Sequence, residues 1–159
     1  MILGPGRSTN AIDKRGVNSM SSSKKDIRGG SETILVVDDQ ETIWDFLIEA
    51  LQNLGYSVLL AENGLDAVEI YKSNPGQIDL VLLDMVMPKL GGHKTFYQIK
   101  SFDPDANVLL SSGYVSEEEV NDLLTQGARG FLPKPHRIST LATEMRKILD
   151  EHPYPKKRP

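Results

Sequence analysis

The chain predicts a doubly wound α/β domain, a five-stranded parallel sheet with helices on both faces. Three observations predict it. Five short apolar runs recur along the sequence, each followed by a stretch with helical spacing. Polar residues break these runs at their carboxyl ends. The length, 159 residues, suits one core plus tails rather than two domains.

Residues 1–32 hold Ser21-Ser22-Ser23-Lys24-Lys25 and Gly29-Gly30-Ser31 without a sustained apolar period, which reads as a flexible N-terminal arm or linker. The texture changes at Thr33. Ile34-Leu35-Val36-Val37 is the pattern of a strand buried on both faces. Ile43, Phe46, Leu47, Ala50, Leu51 and Leu54 then form one helical stripe, which Gly55 closes. Val58-Leu59-Leu60 is the second strand, and Leu65 to Tyr71 a helix opened near Asn63-Gly64. Leu80-Val81-Leu82-Leu83 is the third strand, followed by a loop with Pro88 and Gly91-Gly92 and a helix around Phe96 and Ile99. Val108-Leu109-Leu110 precedes a helix with Val120, Leu123 and Leu124 that ends at Gly127. Gly130-Phe131-Leu132 is the fifth strand, and Ile138, Leu141, Ala142, Met145, Ile148 and Leu149 mark the last helix. The folded domain is placed at 33–152, with a basic tail over 153–159.

Parallel neighbours need crossover connections, and these are right-handed. The order 2-1-3-4-5 is one of two common for such sheets, and the functional crevice then lies beyond the carboxyl ends of the strands.

Composition narrows the function. The absence of cysteine excludes disulfides, thiolate zinc sites and thiol nucleophiles, and His93, His136 and His152 lack metal-ligand spacing. No apolar run approaches the roughly 20 residues of a membrane span. Met1-Ile2-Leu3 before Gly4-Pro5-Gly6 is no signal-peptide core, so the expected location is the cytoplasm. Net charge is −4, but residues 1–30 carry six basic and two acidic side chains, and Lys156, Lys157 and Arg158 add three positives. The remaining body, residues 31–152, is strongly acidic, which argues against direct nucleic-acid binding.

The polar residues at the strand ends form a chemical set. Asp38-Asp39 end the first strand, Asp84 the third and Ser111-Ser112-Gly113 the fourth, while Lys134-Pro135 follows the fifth. With the first and third strands adjacent, three carboxylates converge, and like charges that close call for a cation among them. An all-oxygen donor set points to a hard divalent ion, Mg²⁺ or Mn²⁺, which keeps open positions for phosphate oxygens. Lys134 and Ser112 fit the opposite side of the clamp, as an ammonium and a hydroxyl for phosphoryl oxygens. Taken singly several have a plainer reading: Asp39 as a helix cap, Asp84 as a loop residue before Pro88, Ser112-Gly113 as a turn, and Phe131 as a core aromatic, whereas Asp38 is harder to explain as a cap.

The ordered motifs Ile34-Leu35-Val36-Val37-Asp38-Asp39, Leu82-Leu83-Asp84-Met85-Val86-Met87-Pro88, Leu110-Ser111-Ser112-Gly113-Tyr114 and Gly130-Phe131-Leu132-Pro133-Lys134-Pro135 resemble the receiver (CheY-like) domain of two-component response regulators. The resemblance covers about residues 33–150 and implies a flavodoxin-like (βα)5 fold. It implies that Asp84 is the phosphoacceptor, Asp39 a direct Mg²⁺ ligand, Asp38 its partner acting through water, and the Val86 carbonyl a further ligand. Ser112 matches the switch hydroxyl, Phe131 the aromatic that follows it and Lys134 the lysine of the site, with a cis bond before Pro135. Val86 and Tyr114 match positions that tune loss of the phosphoryl group. Phe131 in place of a tyrosine removes a phenolic hydroxyl from the switch, and Pro133 is a variant ahead of Lys134.

The implied partners are a sensor histidine kinase or histidine phosphotransfer protein as donor. A downstream protein or a second copy would meet the face of the fourth helix, fifth strand and fifth helix. The Gly-Ser-Glu-Thr entry to the first strand resembles the linker ahead of the receiver of hybrid histidine kinases, and a stand-alone regulator and a piece of such a kinase both remain open. A receiver-like scaffold that is never phosphorylated is the alternative. A haloacid-dehalogenase-type phosphatase would place an acid where Val86 stands, and a flavodoxin-like cofactor binder would not place Asp38-Asp39 where a phosphate must sit. No output domain fits after residue 152, so output through a partner is expected. Trp44, close to the acidic pair, is expected either at a docking surface or against a neighbour.

Overall fold

The computed structural model describes residues 27–154. Five strands, β1 (Thr33–Val37), β2 (Ser57–Ala61), β3 (Leu80–Asp84), β4 (Val108–Ser112) and β5 (Gly130–Pro133), alternate with α1 (Glu41–Asn53), α2 (Gly64–Ser73), α3 (Gly92–Phe102), α4 (Glu117–Thr125) and α5 (Ile138–Glu151). All strand pairs are parallel, in the order β2-β1-β3-β4-β5. The doubly wound five-stranded sheet expected from the apolar runs is the fold observed.

Alternation along the strands divides the core in two. Leu35, Val37, Val81, Leu83, Val108 and Leu110 point to one face, where Ala67 and Tyr71 of α2, Phe96 and Ile99 of α3 and Leu123 of α4 cover them. Ile34, Val36, Leu80, Leu82, Leu109 and Leu132 point to the other, under Leu47 and Leu51 of α1 and Leu141, Met145, Ile148 and Leu149 of α5. A strand with helices on both sides has no polar face, which is why the three central strands read as continuous apolar runs.

The helix ends follow local chemistry. Asn63 caps α2 by accepting the Asp66 amide, and Ser116 with Glu119 closes a capping box on α4. Gly55 has φ +99, the left-handed conformation that ends α1. Phe46 departs from the predicted stripe: it is 66% exposed, because α1 meets the sheet through Leu47 and Leu51. Among the described residues Phe46 is left uncovered, and it lines an open hollow.

The amino ends of the strands are held by paired polar groups. Arg146 of α5 donates to both carboxylate oxygens of Glu32, at 2.6 and 3.0 Å, and to Asp150, the Tyr56 hydroxyl and the Gly29 carbonyl. Gly30 donates to the Leu54 carbonyl. A Cβ on Gly30 would stand 2.1 Å from the Glu32 carboxylate and 2.3 Å from the guanidinium. Gly30 therefore serves close approach to Arg146 of α5, and Gly29 close approach to the Leu54 backbone at the end of α1, although the sequence places the pair at the end of a flexible linker. On the far side Tyr71 and Tyr154 both donate to the Asp103 carboxylate, and Asn107 donates to the carbonyls of Asp79 and His152. The rest of the predicted arm, residues 1–26, and residues 155–159 of the basic tail lie outside the described residues.

Candidate functional site

Sheet register builds the site. Val37 pairs with Leu83 across β1 and β3, so Asp38 and Asp84, next along each strand, emerge at one level. One oxygen from each of Asp38, Asp39 and Asp84 lies within 4.8 Å of the others. The three carboxylates singled out in the sequence are thus brought together. Asp39 does not cap α1: the N-cap is Gln40, whose side chain makes no capping bond.

Asp38 is buried and fully engaged. Its Oδ1 accepts the Gln40 amide at 2.8 Å, its Oδ2 accepts Lys134 Nζ at 2.7 Å, and its backbone carbonyl accepts the Trp44 indole N–H. Trp44 is half-buried against this loop, which answers the choice left open for it. Asp84 is 6% exposed, accepts the Val86 amide at Oδ1 and has Lys134 Nζ 3.5 Å from Oδ2. Burial pushes the Asp84 carboxyl above its ordinary range, and the Asp38 charge adds to this; the Val86 amide and Lys134 oppose it. One ammonium faces three carboxylates, so the cluster retains a net negative charge. Oxygen-only donors, closely spaced and in anionic excess, fit a hard divalent cation, which Asp38, Asp39 and Asp84 could hold.

Lys134 reaches the cluster because β5 ends beside β4, its amide donating to the Ser112 carbonyl at 2.8 Å. The Lys134-Pro135 bond is cis. Ser112 is buried at the end of β4, and its hydroxyl oxygen accepts the Tyr114 amide. Leu110 pairs with Phe131, and Ser112, two residues on, lies on the same face of the sheet. Phe131 packs at the edge of that core. Val86 and Tyr114 are 62% and 91% exposed at the rim.

Three features escaped the sequence reading. Gly92 packs against the end of β3, where a Cβ would come within 2.5 Å of the Met85 Cα and 2.8 Å of the Asp84 carbonyl. The Gly-Gly pair signals a turn in sequence, not a contact. Ser111 pairs with Asp84 in register and shares a hydrogen bond with His136, whose Nδ1 is buried without a partner. Burial and the nearby Lys134 charge lower the pKa of His136. Beside them a cavity of about 550 Å³ opens between α1 and the Lys134–Ile138 segment, lined by Ile43, Phe46, Leu82, Pro135 and Ile138 together with Asp84 and Ser111.

The response regulator receiver domain model matches residues 34–146, well over half of the chain. The chain belongs to the response regulator receiver family. Among curated receiver-bearing proteins it is 34% identical over 122 residues to the sensor kinase CckA of Brucella abortus, covering 77% of this chain and 13% of that protein. It is 36% identical over 116 residues to the response regulator MprA of a Mycobacterium species, covering 73% and 50%. The chain therefore spans half or less of these relatives' length. A solved chain of the CheX-CheY-BeF3-Mg²⁺ complex from Borrelia burgdorferi superposes with a TM-score of 0.72 at 30% identity, covering 74% of this chain and 89% of that one. The protein is accordingly a receiver domain of two-component signalling, a class of signalling domain that is generally non-catalytic. Among the described residues no helix is long and apolar enough to cross a membrane.

Proposed function

We propose that Asp84 accepts a phosphoryl group from phosphohistidine on a sensor histidine kinase or histidine phosphotransfer protein. A carboxylate oxygen of Asp84 attacks phosphorus, the phosphorus–nitrogen bond breaks, the imidazole leaves with its electron pair, and an acyl phosphate results. Asp38, Asp39, Asp84 and the Val86 carbonyl would hold Mg²⁺ or Mn²⁺, which supplies charge neutralisation for the transferring oxygens. The observation that carries the reading is the anionic excess around Asp84, three carboxylates against one ammonium.

Lys134 moves from its bond with Asp38 towards the new phosphoryl oxygens, and the Ser112 hydroxyl donates to one of them. Phe131, on the Ser112 face, follows the hydroxyl and carries the change to the α4-β5-α5 face, where a downstream protein or a second copy binds. The hollow beside Asp84, with Phe46 at its mouth, offers apolar surface for the donor to cover. Catalysis extends no further than the domain's own phosphorylation and dephosphorylation, and the setting is cytoplasmic.

Offering acetyl phosphate with Mg²⁺ to wild type and to Asp84→Asn tests this, read by intact mass. Label on the wild type alone is expected. Label on both would move the site elsewhere, and label on neither would favour the unphosphorylated scaffold. Val86→Asn is expected to change the lifetime of the labelled form.

A further inference from the structure

The loop Asp38-Asp39-Gln40 carries two of the three clustered carboxylates, yet helix α1 starts without a side-chain cap to clasp it. The Gln40 carbonyl accepts the Ile43 and Trp44 amides of the first helical turn, and four further bonds fall on Asp38. The Asp38 amide donates to the Ala61 carbonyl, Lys134 and the Gln40 amide donate to the Asp38 carboxylate, and the Trp44 indole donates to the Asp38 carbonyl. Two of these use the carboxylate, which a cation must also engage, so they compete with metal binding. The indole bond does not compete. It holds the planar peptide joining Asp38 to Asp39, and the orientation of that plane sets the direction in which the side chains on either side leave the backbone.

From this geometry we infer that Trp44 is a positioning residue for the cation site: its indole N–H pre-orients the Asp38–Asp39 peptide so that both carboxylates face Asp84. This rests on the cation reading given under Proposed function. Trp44 lies on α1, whose Leu47 and Leu51 anchor it to the sheet, so the bond transmits a packed helix's rigidity to the Asp38–Asp39 peptide.

Titration calorimetry with Mg²⁺ on the full chain tests the inference with two variants that separate hydrogen bond from bulk. Trp44→Phe keeps an aromatic ring and loses the donor; Trp44→Gln loses the ring and keeps a neutral N–H at similar reach. Mg²⁺ affinity is expected to fall about fivefold in the Phe variant, the worth of one ordinary hydrogen bond, and to return most of the way in the Gln variant. Acetyl phosphate labelling of the Phe variant should be slow at limiting Mg²⁺ and normal at saturating Mg²⁺. Affinity kept by Phe and lost by Gln would assign Trp44 a packing role and overturn the inference, as would equal affinities in all three proteins, equal losses in both variants or a labelling defect that persists at saturating Mg²⁺. A wild type that binds no Mg²⁺ would instead bring down the cation reading itself.

Discussion

The two ends of the sheet both concentrate charge, and they resolve it differently. At the amino ends Arg146 sits between Glu32 and Asp150, Arg28 adds a bond to Asp150, and Tyr71 and Tyr154 supply two donors to Asp103. At the carboxyl ends three carboxylates cluster, and Lys134 pairs with two of them, Asp38 and Asp84. The first arrangement is closed; its hydrogen bonds pull the Glu32 carboxyl down and the Arg146 guanidinium up, so the charged pair is the favoured state. The second is left in anionic excess, with Asp84 pushed the opposite way. Satisfied charge holds the fold together, whereas unsatisfied charge of one sign is a standing demand for a ligand.

The largest expected effect lies at the closed end. Replacing Arg146 by Met removes the partner of Glu32 and of the Tyr56 hydroxyl in a half-buried setting, and should lower stability by about 2–3 kcal/mol, discounted for partial exposure. The denaturation midpoint measures it. Mg²⁺ affinity should stay unchanged, since no bond from Arg146 reaches the carboxyl ends. A matching loss of Mg²⁺ affinity would erase the distinction between the two ends.

The open end should respond with the opposite sign. In metal-free buffer Asp84→Asn removes one of three crowded like charges and a desolvated carboxylate, so the variant is expected to be more stable than wild type by about 1 kcal/mol. Added Mg²⁺ should raise the melting temperature of wild type and much less that of the variant. A destabilised Asp84→Asn in the absence of metal would mean that Lys134 already satisfies the cluster.

Legibility in the sequence divides along similar lines. The central strands were readable because burial on both faces leaves continuous apolar runs, and Asp38, Asp84 and Lys134 were readable because each interrupts the pattern at a strand end. Adjacent strands turn those interruptions into a cluster with no further information. The paired network was not readable: Arg146 and Glu32 stand 114 residues apart in the chain, and neither breaks a local pattern. Phe46 was misread for the same reason, since helical spacing reports which side faces the protein and not where the neighbouring segment stops. Trp44 was visible as a residue but its bond to Asp38 depends on one rotamer.

The smallest expected effect is a pair of opposed pH slopes in metal-free buffer. Asp84 is raised from 3.8 on folding, so between 3.8 and its raised value the native state binds more protons than the unfolded chain. Stability contributed through this group therefore falls as pH rises through that window, and recovers on acidification. Glu32 is lowered from 4.5, so its contribution is present above 4.5 and is lost as pH falls through its folded value. Wild type minus Asp84→Asn should slope downward with pH, and wild type minus Glu32→Gln upward, in denaturant titrations over the acid range. Two slopes of the same sign would show that Asp84 gains more from Lys134 than it loses to burial and to Asp38, making the carboxyl end as closed as the amino end.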